Sequence, residues 1–122
     1  MRVFLLAGLC LHLAQAPTVK LQNEPIFGQA AWYGSDFQGR PTASGEVFNM
    51  HKLTAASRDL PLGSFIRVVN LSNRRSVVVR INDRGPWNDP DRIIDLSYAA
   101  SRQLDMVAQG VTEVRLESVP SL

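Results

Sequence analysis

An apolar, β-branched run, Val77-Val78-Val79-Arg80-Ile81, gives way abruptly to Asn82-Asp83-Arg84 and then to the pair Gly85-Pro86. Such a run favours a strand, and the Gly-Pro pair forces the chain to turn. Asp83 is therefore expected at the mouth of a strand with a tight loop behind it. Strand character also marks Ile26 to Tyr33, Phe65 to Val69 and, more briefly, Arg92 to Leu96. Residues 70–75 link two such runs at a spacing that predicts an antiparallel hairpin with a longer loop. Thr112 to Val119 reads as a closing strand, although Val111, Val114 and Leu116 are not in strict alternation. The stretch from Gly34 to Gly45, with Gly39 and Pro41 inside it, predicts a loop. Glu46 to Thr54 is mixed, and Leu60-Pro61-Leu62-Gly63 predicts a turn. Ser97 is placed to cap a short helix from Tyr98 to about Leu104, with Ala100 and Leu104 on one face.

The chain begins Met1-Arg2, continues apolar to Ala14 and reaches Ala14-Gln15-Ala16, the small-x-small form of a secretory cleavage site. The expected organisation is a leader over 1–16, a polar lead-in over 17–25 and one domain over 26–120. An apolar run of about 12 residues is too short to span a bilayer, so no stable membrane insertion is expected. Cys10 follows Leu9 where a lipid-anchor cysteine would follow a small residue, so no anchor is expected. Beyond Ala16 there is no cysteine, which excludes disulfide and thiolate chemistry from the exported domain. Removing the leader takes away Arg2 alone among the charged residues, leaving 12 basic against 11 acidic. That balance excludes general nucleic-acid binding, which needs a concentrated basic surface. His51 is the one histidine after the leader, so no metal site is expected, and no phosphate-cradling glycine motif implies a cofactor.

Taken together, Ala31-Trp32-Tyr33-Gly34, Thr42-Ala43-Ser44-Gly45-Glu46-Val47-Phe48-Asn49, Leu53-Thr54-Ala55-Ala56, Leu60-Pro61-Leu62-Gly63, Asn82-Asp83-Arg84-Gly85-Pro86 and Arg92-Ile93-Ile94-Asp95-Leu96-Ser97 form an ordered set of motifs. In this set the sequence resembles the rare lipoprotein A-like family, from about Gly28 to Val119. The resemblance implies a mainly β fold, a six-stranded double-psi β-barrel with one or two short helices, whose closure covers its edges. It also implies an exported, monomeric protein of the periplasm or cell envelope whose partner is the glycan strand of peptidoglycan. The implied activity is that of an endolytic lytic transglycosylase. The alternative is a non-catalytic glycan-binding or expansin-like wall-loosening domain.

The family's catalytic positions fall on Glu46, Ser57 and Asp83. The middle one is normally histidine, and serine carries no proton charge near neutral pH. Asp83 is the expected acid, against a reading as a turn aspartate bonding backbone amides. Glu46 is the expected companion, against a solvated loop charge. Asp95 is the competing acid, weighed against a bond to the helix start beside Ser97. His51 is a distant substitute for the missing histidine. Arg84 is placed either to bond substrate or to neutralise Asp83. Trp32, Tyr33 and Trp87 are candidate sugar platforms, weighed against closure of the core, and Trp87 is the strongest because it follows the Asp83 loop.

Overall fold

The structure is a computed structural model that describes residues 24–120. The expected leader and most of the lead-in lie outside the described residues. Six strands form: β1 (Ile26–Tyr33), β2 (Thr54–Ala56), β3 (Phe65–Asn70), β4 (Ser76–Asp83), β5 (Arg92–Ser97) and β6 (Val111–Ser118). They close into a barrel in the order β1-β5-β2-β4-β3-β6. The β1–β5 and β2–β4 pairs are parallel, and the remaining pairs are antiparallel. The six-stranded barrel is the one the family resemblance implies. No helix among the described residues is long and apolar enough to cross a membrane.

Alternation builds the core. Val77, Val79 and Ile81 of β4 face inward with Ile66 and Val68 of β3, and Val114 and Leu116 of β6 close over them. Burying one such side chain stabilises the fold by about 1.5–3 kcal/mol. The β3–β4 hairpin pairs Phe65 with Arg80 and Val69 with Ser76, as the loop spacing predicts. In β6 the inward residue is Thr112, not Val111. Thr112 is buried and its hydroxyl lies 3.4 Å from Asn70 Oδ1, while Val111 faces outward. That substitution of a threonine for an apolar residue is what disguised the alternation.

Helix α1 (Tyr98–Gln103) follows β5 directly. Ser97 Oγ accepts the Ala100 amide at 3.2 Å, the cap that the sequence places there. Leu104 and Met106, just beyond the helix, are fully buried and plug one end of the barrel. A single 3-10 turn, Ser35–Phe37, opens the loop between β1 and β2. β2 itself escaped the sequence pattern. It has only three residues, two of them alanine, and it is buried on both sides.

Candidate active site

The site is built on the outer face of β1, β5, β2 and β4. Ile94 and Leu96 point into the core, so Asp95 between them points out. In register, Asp95 pairs with Ala31 on one side and Ala56 on the other. Ala56 pairs in turn with Asp83. Plain alternation would put Asp83 on the same side as Ile81, inside. A register shift between Ala55 and Ala56 inserts Asn82 as the extra residue and brings Asp83 level with Ala56. Bulges of this kind re-aim side chains. The two aspartates thus flank one alanine across a single row, their Cα atoms two strand spacings or roughly 10 Å apart.

The loop between β1 and β2 folds over this face and fixes Asp83. Asp83 Oδ1 accepts the amides of Ala43 and Arg84, each at 2.9 Å. Its Oδ2 accepts from no protein donor among the described residues and is not one of the buried unpaired atoms, so it faces solvent. One oxygen is tethered and the other is open. Gly85 makes the sharp departure possible. Its φ of +133° is a conformation that side chains other than glycine rarely adopt.

Glu46 secures the loop. Arg80 grips it with two hydrogen bonds of 2.7 and 2.9 Å, and Asn82 Nδ2 adds a third at 2.9 Å. These bonds hold the Glu46 carboxyl down at about 2. Glu46 is therefore a fixed anion, and it anchors the segment that delivers the Ala43 amide to Asp83. Arg80, the lone charge in an apolar run, was the sequence signal for this clamp.

Asp95 does not bond the helix start, which Ser97 serves. Arg92 Nη2 reaches both its oxygens, at 3.1 and 3.3 Å. Burial pushes the Asp95 carboxyl up from its ordinary value, and the charges of Arg92 and Arg58 oppose that rise. Arg84 does not neutralise Asp83. Its guanidinium donates to the carbonyls of Ser57 and Leu60, at 3.0 and 2.8 Å, bracing the loop after β2. Arg58 braces the same region through the carbonyls of Pro86 and Arg92.

Ser57 lies outside the row of aspartates. It is buried, and its hydroxyl accepts the amides of Asp59 and Leu60 at 3.3 and 3.0 Å. Its own amide donates to the Asp83 carbonyl at 3.0 Å, so the backbone at this position touches Asp83 while the side chain serves a turn. His51 stands edge-on to Tyr98, with ring centroids 6.4 Å apart, at the helix start.

The three aromatics separate. Trp32 packs against the core and Tyr98, and its indole donates to the Val107 carbonyl at 3.2 Å, which is core closure. Tyr33 stacks on Phe48 at 4.6 Å, which covers one face of its ring. Trp87 is 69% exposed and carries an open face. Among the described residues, the buried side-chain atoms without a hydrogen-bond partner are Tyr33 Oη, Thr54 Oγ1, Asn82 Oδ1 and Arg92 Nε. All four belong to β1, β2, β4 or β5, the strands that carry this face.

Residues 26–116 match the family model described as lytic transglycolase, the double-psi β-barrel type. The chain belongs to the rare lipoprotein A-like family of lytic transglycolases. It is 48% identical over 103 residues to the endolytic peptidoglycan transglycosylase RlpA of Campylobacter jejuni, covering 84% of this chain and 37% of that one. The protein of the same name from Pseudomonas aeruginosa is 48% identical over 94 residues, covering 77% of this chain and 27% of the relative. The chain thus spans well under half the length of these family members. Among solved structures, Streptomyces papain inhibitor superposes with a TM-score of 0.66 at 23% identity, covering 81% of this chain and 96% of that one. Apo expansin from Clavibacter michiganensis gives 0.62 at 21% identity, covering 81% of this chain and 52% of that one. At these identities the two likenesses show the fold alone.

Proposed function

We propose that this chain carries the catalytic barrel of an endolytic peptidoglycan transglycosylase, exported to the cell envelope, with glycan strands stripped of stem peptides as substrate. The observation that carries the reading is the half-tethered Asp83 carboxyl, fixed through Oδ1 and open at Oδ2, on the same face as Asp95. Family membership supplies the reaction class. Protonated at Oδ2, Asp83 gives its proton to the oxygen between N-acetylmuramic acid and N-acetylglucosamine. As the C1–O bond breaks, the muramic C6 hydroxyl oxygen bonds to C1 and closes a 1,6-anhydro ring. The hydroxyl's proton goes to the Asp83 carboxylate, which restores the acid. No water is consumed, and one group serves as acid and then base.

Glu46 contributes as an anion and as the loop's anchor, because its bonds to Arg80 and Asn82 keep it ionised. Trp87 offers the exposed ring against which a sugar can lie. The second reading is a barrel that binds glycan without turning it over. Ser57 favours it, since the hydroxyl at the family's histidine position is spent on a turn. The two readings part in one experiment. Purified protein is incubated with denuded glycan, and retention on the insoluble strand is measured beside release of soluble fragments. Release with retention supports the enzyme, retention alone supports the binder, and neither overturns both.

A further inference from the structure

Arg58 carries a charge that the reading above does not use. The Ser57 amide donates to the Asp83 carbonyl at 3.0 Å, which carries the β2–β4 ladder one residue past Ala56. Ala56 shares the outward row with the two aspartates and Ser57 is turned in and buried, so Arg58 faces out again, next to that row. Its Nη1 donates to the carbonyls of Pro86, three residues after Asp83, and of Arg92, three residues before Asp95, the second at 2.9 Å. A longer contact of 3.5 Å reaches the Asp89 carbonyl. The guanidinium thus crosses the gap between the strand ends that bear the two aspartates. One nitrogen makes all of these bonds. Among the described residues Nε and Nη2 donate to no protein acceptor, and neither is one of the buried unpaired atoms, so that edge faces solvent.

The neighbouring acids are already engaged. Arg92 holds Asp95 at 3.1 Å, two amides tether Asp83, and Asp89 accepts the Asp91 amide. Arg84 is turned to the carbonyls of Ser57 and Leu60. Among the described residues no acid lies within ion-pair distance of Arg58. Carbonyls orient a guanidinium without neutralising it, so this charge is aimed and left uncompensated. Its open Nε–Nη2 edge is the fork that takes a carboxylate through two parallel N–H···O bonds. We propose that Arg58 binds the free lactyl carboxylate of N-acetylmuramic acid and so selects glycan without stem peptides. The inference rests on the glycan reading of this face. The lactyl ether stands on C3 of the same ring whose C1–O bond Asp83 would break, so its carboxyl lies within about one ring of that bond. In a strand that keeps its stem peptides this carboxyl is tied up as an amide and carries no charge. Removing the peptide exposes the anion that Arg58 lacks.

The test crosses the arginine with the carboxyl it would meet. Short denuded glycan strands are compared with the same strands after carbodiimide coupling to ammonia, which turns each lactyl carboxylate into a neutral amide. Affinity for both is measured with the wild type, Arg58→Gln and Arg58→Lys. The wild type should hold the untreated strands on the order of tenfold more tightly, as for loss of a charge-assisted pair. Arg58→Gln should hold both alike, at the amidated level, and Arg58→Lys should keep part of the preference. A purely structural latch at Arg58 would weaken both strands equally and leave the preference in place. If Arg58→Gln does not fold, the wild-type Arg58 Nε–H resonance supplies the readout, and it should move with untreated strands and stay still with amidated ones. A wild type indifferent to amidation, a preference that survives in Arg58→Gln, or a still Nε–H resonance with untreated strands would overturn the proposal. Affinity needs no turnover, so a protein that prefers the carboxylate and releases no product defeats the catalytic reading and leaves this one standing. Release from both strands at equal affinity does the reverse.

Discussion

The barrel has two unlike sides. Across β4, β3 and β6 the strands run antiparallel in unbroken register, and the outer face is covered by charges that pair with one another. Arg115 donates to Glu117 at 2.7 Å, and Arg67 lies 3.9 Å from the same carboxylate. Across β1, β5, β2 and β4 two pairs are parallel, and the register shifts twice, at Gln29/Ala30 and at Ala55/Ala56. Among the described residues, every buried side-chain atom without a partner sits on the strands of that second side. One side satisfies its own polar groups. The other leaves four side-chain atoms buried and unpaired among the described residues and re-aims a carboxylate by breaking its ladder. β4 belongs to both, regular where it pairs with β3 and bulged at Asn82 where it pairs with β2.

The largest effect should come from the re-aimed carboxyl. Asp83→Asn keeps the shape and the Ala43 and Arg84 contacts to Oδ1 but removes the proton donor. Turnover should fall on the order of 10²–10⁴-fold, as for loss of a general acid, with most glycan retention kept in a pull-down. Undiminished release would remove Asp83 from the chemistry and return the assignment to Asp95.

A smaller loss should follow at Ser57. Ser57→Ala strips two amides of their acceptor in a buried turn, and a urea titration should show a loss of about 1–2 kcal/mol. Stability equal to wild type would mean that the turn does not need the hydroxyl. Glu46→Gln weakens the clamp at a partly exposed pair, so solvent screening holds the loss to about 1 kcal/mol. Folding lowers the Glu46 carboxyl from the ordinary 4.5 to about 2. Its stabilisation is therefore complete above 4.5 and is lost as pH falls through that interval toward 2. A Glu46→Gln difference that persists undiminished at pH 2 would contradict the clamp. The smallest effect should be on the regular side. Arg115→Ala should change stability by no more than about 0.5 kcal/mol and glycan release not at all. A large loss of release there would erase the distinction between the two sides.

The same division governs what could be read in the sequence. The regular side was legible, because Phe65 to Val69 and Val77 to Ile81 alternate or run apolar as strands do, and the linker length set their pairing. Ser97 was legible as a cap because its chemistry is local. β2 was not, since three residues with two alanines carry no periodicity, and its place between β4 and β5 depends on distant partners. The site was half legible. Motifs pointed to Asp83, Glu46 and Asp95 as residues, but period-two reasoning puts Asp83 inside, and only the bulge turns it out. That Glu46 is clamped by Arg80, that Arg92 holds Asp95 and that Arg84 braces a loop are long-range or geometric facts that spacing does not encode.

The central claim is that Asp83 donates a proton on this face to start an intramolecular ring closure. Mass spectrometry of the soluble products from denuded glycan tests it most directly, comparing wild type with Asp83→Asn. The account predicts fragments ending in 1,6-anhydro-N-acetylmuramic acid from the wild type and almost none from the variant. Hydrolysed reducing ends from the wild type, or the same anhydro products from both proteins, would contradict it.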